Sequence, residues 1–405
     1  MNKPKILILA LTYFPHQGGA EVAVKEITSR LGDDFGFDMV TARLNKKLLK
    51  FEQIGNIGVY RVGFGCKIID KYIFTFFGFF KAIKLYFKNR YLIIWPIMAA
   101  YSSFAVLFKI FTRAKVVLTL QEGDPIEYIT GLKRFKIFLP IYKLYFKLVD
   151  KVTVISNFLG NWAEYLGVKK EKIVLVPNGV NIEVIEKLKA PLSSRSIAGW
   201  LPEAASNKVI KSNEKIIFTA SRLVEKNGIE YLIKAVKLLI TNYGFLDTKL
   251  LIAGDGPLKN KLEKIVSELD LDNKIEFLGE VKFEKIKEYY AIADIFCRPS
   301  LSEGFGNVFV EAMAAEVPVI ATPVGGIPDF LKDRETGWFC EVQNSASIAD
   351  KIVYILDEKN KAEVDRVVAH ARKMVEEKYS WGKIARDMGE IFLQIINNQD
   401  TNIKK

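Results

Sequence analysis

Short apolar runs separated by helical stretches recur along this whole sequence, and that alternation limits the fold more than any other feature. Lys5–Leu11 (KILILAL), Lys115–Leu120, Lys151–Ile155 and Lys172–Val176 read as strands in the first half. Lys215–Ala220, Lys249–Ala253, Lys274–Leu278, Ile295–Arg298 and Val317–Ala321 read as strands in the second. Strand–helix alternation builds parallel sheets in doubly wound α/β domains. A chain of 405 residues exceeds what one core usually holds, so two such domains are expected. The first spans 1–190 and the second 214–378. Residues 191–213 form the connection, since they show no clear period and Lys189–Glu214 holds two prolines.

Two apolar stretches admit a second reading. The opening MNKPKILILALTYFPHQGGAE has the lysines and short apolar run of a signal peptide, but no A-x-A-like cleavage site follows. A buried parallel strand accounts for the same run and is preferred. Tyr91–Phe108 is barely long enough to span a bilayer and is interrupted by Pro96 and a Ser pair. A strand, a turn and a buried helix are preferred there.

Composition excludes several chemistries. The cysteines are three, Cys66, Cys297 and Cys340, far apart and with no C-x-x-C, which argues for a reducing compartment and against structural zinc. His16 and His370 are the only histidines, too few for a His-rich metal site or a His-dependent triad. The net charge of +12 is uneven. Residues 1–190 carry 29 Lys+Arg against 15 Asp+Glu, and residues 191–405 carry 30 against 32. One half therefore faces an anionic partner.

Open parallel sheets bind ligands beyond the carboxyl ends of their strands, so two domains facing each other across a cleft would place chemistry on the strand-end loops. Gly18-Gly19 follows the first strand and opens a helix, where free N–H groups meet an anion or a sugar, or where the chain simply turns. It is not G-x-G-x-x-G, which weakens a dinucleotide reading. In ASRLVEKNG (Ala220–Gly228), Arg222 and Lys226 stand at a strand end and suit a diphosphate, or are solvated surface cations. AGDGP (Ala253–Pro257) reads as a structural turn.

SEGFGNVFVEA (Ser302–Ala312) sets Glu303 in a loop before Gly304, Phe305 and Gly306. Asn307 is the expected N-cap of a helix over Val308–Ala315, with free N–H groups from Gly306 to Phe309 beside the Glu303 carboxylate. Glu311 would lie a turn inside, placed to take two ribose hydroxyls or merely to complement the helix dipole.

The ordered set resembles the family-four retaining glycosyltransferases, whose fold is GT-B. EGFGNVFVEAMA carries their E-x7-E signature. GGAE, VISNF, VPNGVN, SRLVEKNG, AGDGP, FLGEV and ADIFCRPS stand in the family's order, from Lys5 to about Phe392. The resemblance implies transfer of a sugar from a nucleotide-sugar donor, with configuration retained and with neither metal nor cofactor. By position, Arg222 would hold the diphosphate, with Lys226 and Asn227 beside it. Glu303 would meet the donor sugar beside the backbone of Gly304, Phe305, Gly306 and Asn307. Glu311 would hold the ribose, and Gly18 and Gly19 would let the backbone lie close to the donor. Arg222, Lys226 and Glu303 are then the catalytic candidates. The first domain would carry the acceptor, and the C-terminal helix, 379–398, would cross back onto it.

Three departures bear on activity. Relatives have Lys where Asn227 stands, the nearest lysine here being Lys226. Many carry His where Gln121 stands; Gln121 and the following Glu122 are acceptor-side candidates, and Gln cannot accept a proton as His does. Relatives often have Gly at Glu316, after the helix, where the left-handed conformation is cheap for Gly. A non-catalytic nucleotide-sugar or glycan-binding relative and a nucleotide-sugar epimerase of the same fold are the rival readings.

Phe76–Lys88 is helical in period, with Lys81, Lys84 and Lys88 on one face and Phe76, Phe79, Phe80, Ile83 and Phe87 opposite. Lys133–Lys151 repeats the theme, with Lys136, Lys143 and Lys147 aligned, Phe138, Tyr142 and Tyr145 across, and Pro140 as a break. Such helices lie on an anionic membrane surface or are core helices with solvated lysines. The charge of the first half favours the membrane and a glycan or lipid-linked acceptor, in a cytoplasmic enzyme peripheral to the inner membrane face. Nucleic acid is not expected, as no recognised binding motif accompanies the charge.

Overall fold

The computed structural model describes residues 3–98, 105, 107–123, 133–182 and 214–403. The chain divides into two compact units, Met1–Gly179 with Trp381–Lys405, and Val180–Ser380. The expected 191–213 connection lies outside the described residues, as do the side chains of Lys136, Phe138 and Tyr142.

In the first unit the strands are β1 Lys5–Leu9, β2 Gly36–Ala42, β3 Phe51–Ile54, β4 Ile57–Val62, β5 Ile93–Pro96, β6 Lys115–Leu120, β7 Lys151–Val154 and β8 Ile173–Leu175. Their order is β3-β4-β2-β1-β5-β6-β7-β8, parallel except for the antiparallel β3–β4 pair. β1 pairs with β2 on one side and β5 on the other, and Ile6–Leu9 are fully buried. The opening apolar run is thus a central strand covered on both faces. From β1 the chain builds one half of the sheet and then crosses to β5. The helix Trp381–Ile403, longer than its pattern suggested, closes this core with Trp381, Ile384, Met388 and Phe392. Phe392 meets Phe35 and Trp95 edge-on at 5.7 and 5.2 Å.

In the second unit the strands are β9 Lys215–Ala220, β10 Thr248–Ala253, β11 Ile275–Gly279, β12 Ile295–Arg298, β13 Val319–Ala321 and β14 Trp338–Phe339. All pairings are parallel, in the order β11-β10-β9-β12-β13-β14. Again the chain starts in the middle, builds outward to β11 and returns to β12. The direction reverses between β9 and β12, the point at which open sheets leave a ligand crevice. The helices Ile229–Tyr243 and Ser345–Leu356 supply much of this unit's own core.

The helix Lys67–Asn89 departs from the core reading expected for it. Its buried stripe is Asp70, Phe74, Gly78, Ala82, Leu85 and Tyr86. The aromatic face expected in the core is largely outside it, with Phe76 60% and Phe80 55% exposed. A helix on a sheet buries one stripe, and this helix is apolar over more than one. The helix Lys133–Leu148 runs through Pro140. Among the described residues no helix is long and apolar enough to cross a membrane.

Candidate functional site

The loops after β9 and β12 hold most of the residues singled out by the sequence, and glycines stitch these loops together. Gly228 has φ +67, and a Cβ there would come 2.0 Å from the Pro299 carbonyl oxygen. Leu301 donates its N–H to the Lys226 carbonyl at 2.6 Å. Gly254, in the AGDGP turn, has φ +130 and would place a Cβ 1.8 Å from the Ser221 carbonyl oxygen. Leu223 donates to the Asp255 carbonyl at 2.9 Å. The structural reading of that turn therefore has a specific content: it backs the Arg222 loop.

Within the loop after β9, Arg222 is exposed and Lys226 half-buried. Asn227 is buried and its side-chain amide donates to the Arg222 carbonyl at 2.6 Å. The residue at the position where relatives have lysine thus fastens the backbone that carries Arg222. Ser221 Oγ, one residue earlier, is buried with no hydrogen-bond partner among the described residues.

In the loop after β12, Glu303 is held on both oxygens. Gly304 donates its N–H to Oε1 at 3.0 Å, and Arg298 donates to Oε2. Arg298 was not anticipated as a site residue. It is buried, donates from Nε to Ser300 Oγ at 3.1 Å, reaches the Ala220 carbonyl at 3.5 Å, and lies over the Phe309 ring at 4.5 Å. Its only mark in the sequence is its place closing an apolar strand five residues before a glutamate, which does not tell a buried pair from a solvated charge.

The helix after this loop begins one residue earlier than expected. It runs Asn307–Ala314, and Gly306, not Asn307, is its N-cap. Gly306 has φ +93, and a Cβ there would meet the Phe309 ring at 2.5 Å, so glycine alone fits. Phe309 donates its N–H to the Gly306 carbonyl at 3.0 Å and is not among the free donors. Phe305 is buried, edge-on to Phe330 at 5.3 Å.

Glu311 is buried behind this loop. Tyr290, a second residue not anticipated, places its hydroxyl 3.1 Å from Glu311 Oε2 and 3.1 Å from the Val308 carbonyl oxygen. Burial pushes the Glu311 carboxyl up to about 7, while the Tyr290 hydrogen bond and the Arg298 charge act against that. Gly325, with φ +57, would set a Cβ 1.8 Å from the Glu303 carbonyl oxygen, and Gly326 donates to that oxygen at 3.0 Å. The GG pair after β13 therefore clamps the Glu303 backbone.

In the first unit, Gly18 is the N-cap of Gly19–Leu31. The first turn carries Glu21, which accepts from Thr12 Oγ1 and lies against Gly18. A carboxylate already faces this turn, so it suits a hydroxyl better than an anion. Gln121 donates to Asn178 Oδ1 at 3.3 Å, and Glu122 is buried.

Two sheets, one parallel throughout and one parallel but for its β3–β4 pair, define a GT-B type of protein built from two Rossmann-like domains. Sucrose-phosphate synthase from Thermosynechococcus elongatus shares this fold at a TM-score of 0.80 and 22% identity, over 98% of this chain and 100% of that one. Anabaena HepE in complex with UDP and glucose shares it at a TM-score of 0.72 and 18% identity, over 96% and 100%. The family model "Glycosyltransferase Family 4" matches residues 17–184, and "Glycosyl transferases group 1" matches residues 202–374. The chain belongs to the family-four glycosyltransferases. It is 30% identical over 244 residues to an uncharacterized glycosyltransferase of Methanocaldococcus jannaschii, a match spanning 60% of this chain and 59% of that protein. It is 28% identical over 287 residues to the N-acetyl-alpha-D-glucosaminyl L-malate synthase of Bacillus anthracis, spanning 71% and 69%.

Proposed function

We propose that this protein is a retaining glycosyltransferase that moves a sugar from a nucleotide-sugar donor to a lipid-linked or cell-envelope glycan, without a metal. The observation that carries the reading is the convergence at the β9/β12 reversal point. The Arg222–Lys226 loop is bonded to the loop bearing Glu303, whose carboxylate is fixed in advance by Arg298. In this reading the bond from sugar C1 to the diphosphate oxygen breaks and the electron pair leaves with the diphosphate. Arg222 and Lys226 meet that growing charge. Glu303 orients the sugar, Glu311 receives the ribose hydroxyls, and the acceptor hydroxyl oxygen bonds C1 on the face the diphosphate leaves, its proton passing to the departing diphosphate oxygen. In this reading the first unit, with Gln121 and Glu122, serves the acceptor. HepE, a fold neighbour crystallised with UDP and with UDP-glucose, makes uridine donors the first to try.

The test is release of nucleoside diphosphate from a panel of uridine, guanosine and adenosine diphosphate sugars. One donor is expected to be turned over, with Arg222→Ala and Glu303→Ala each lowering kcat about 100-fold or more, the size of losing one preorganised charge-stabilising contact. A donor that raises the melting temperature yet is never cleaved would establish the non-catalytic rival. A donor recovered as its epimer without acceptor would establish the epimerase.

A further inference from the structure

The Lys67–Asn89 helix offers a face that its own fold leaves uncovered. Ile68, Tyr72, Phe76 and Phe80 follow each other at four-residue spacing and are 72, 71, 60 and 55% exposed. That spacing forms one ridge along the helix. The rings touch each other: Phe76 meets Phe80 at 4.8 Å and Phe77 at 5.4 Å, and Phe77 meets Phe64 at 6.0 Å. Phe79 ties the ridge to the short helix Phe108–Phe111, whose Phe111 is also exposed. A connected apolar surface of this kind marks an interaction site.

Charge says what the partner is. The helix carries Lys67, Lys71, Lys81, Lys84 and Lys88 and a single acid, Asp70. Asp70 is fully buried, and its carboxylate accepts the N–H groups of Phe64, Gly65 and Cys66 at 2.8, 2.6 and 2.7 Å. The exposed part of the helix is therefore purely basic. A second copy docked by the same face would set these lysines against themselves, because a two-fold contact pairs a patch with itself. An anionic bilayer has the complementary charge, and its headgroup boundary takes aromatic rings while long lysine stems reach back to the phosphates. Burial, and then the charges of Lys84 and Lys88, lower the Lys81 ammonium from its ordinary value.

We infer that the Lys67–Asn89 helix is the surface by which this protein lies on an anionic lipid bilayer, its Ile68–Phe80 ridge entering the headgroup region and its lysines holding lipid phosphates. The inference rests on the lipid-linked acceptor of the reading above, since it would hold the first unit where such an acceptor lies. The test is co-sedimentation of the full chain with sucrose-loaded vesicles, phosphatidylglycerol mixed with phosphatidylcholine against phosphatidylcholine alone. Binding is expected to be at least tenfold tighter on the mixed vesicles and to weaken with salt. Tyr72→Ser/Phe76→Ser/Phe80→Ser should weaken it about tenfold or more with the circular dichroism unchanged, these side chains being outside the core. Lys84→Glu/Lys88→Glu should remove the preference for the mixed vesicles, each lysine near the surface being worth roughly fivefold. All variants should release nucleotide from a soluble donor as the wild type does. Wild-type protein that binds neither vesicle, or both equally, overturns the inference and leaves the transferase reading standing. So does a dimer in solution that the triple variant dissociates, which would give this face to a second copy. Vesicle binding without donor cleavage would uphold the surface and count against the transferase.

Discussion

At the scale of single residues, the site depends on two side chains that the sequence motifs did not single out, Arg298 and Tyr290. Arg298 fixes the Glu303 carboxylate, and Tyr290 is the hydrogen-bond partner of a buried Glu311. The raised Glu311 carboxyl, about 7 against an ordinary 4.5, sets the sign of a pH effect. Between those two values the folded chain holds a proton that the unfolded chain has lost. Stability is therefore highest below about pH 4.5 in this term and is lost as pH rises through about 7. Glu311→Gln removes the titration. The variant is expected to match the wild type in denaturant midpoint at pH 5 and to exceed it by roughly 3 kcal/mol at pH 8. Its nucleotide affinity should fall, since an amide is a poorer acceptor for ribose hydroxyls than a carboxylate. A constant gap between the two proteins from pH 5 to pH 8 would remove Glu311 as a strained binding group.

At the scale of elements, the site exists because glycine backbones let four strand-end loops touch. Gly325→Ala would drive a methyl into the Glu303 carbonyl oxygen, 1.8 Å away, at a φ of +57. Gly244→Ala also sits at positive φ, +71, but meets nothing within 4 Å. The first should cost about 2–4 kcal/mol and abolish nucleotide binding; the second should cost about 1 kcal/mol and leave binding intact. Thermal melts with and without nucleotide separate the two, and equal behaviour would mean that the clamp on Glu303 is dispensable. The strands with unbroken apolar runs were legible, as burial on both faces requires, whereas β2, β3, β4 and β14 were not anticipated. Glu316 was legible too: it follows the helix at φ +59, where the lack of glycine had suggested strain. The Arg298–Glu303 pair was not, because a charge at a strand end reads alike whether it meets solvent or a neighbour. The exposed Phe76–Phe80 ridge was hidden for a related reason. Period assigns residues to faces, but only the packed sheet decides which face it covers.

At the scale of the whole molecule, the chain passes into the second unit after Gly179 and leaves it at Ser380. Val180 donates to the Tyr379 carbonyl at 2.8 Å, so entry and exit are side by side. Each unit has its own core, and that of the first is completed by the chain's last helix. Proteins built this way need not unfold in one step. Phe392→Ala removes a fully buried ring that meets Phe35 and Trp95, a loss of about 3–5 kcal/mol. That cost falls on the first unit alone. Calorimetry is therefore expected to show two transitions, of which Phe392→Ala lowers one. A nucleotide bound at the Arg222–Glu303 loops should raise the other, by about 2.7 kcal/mol at 100 times its Kd. If the substitution and the ligand move a single common transition, the units fold as one body. The terminal helix then stabilises the nucleotide site from across the chain.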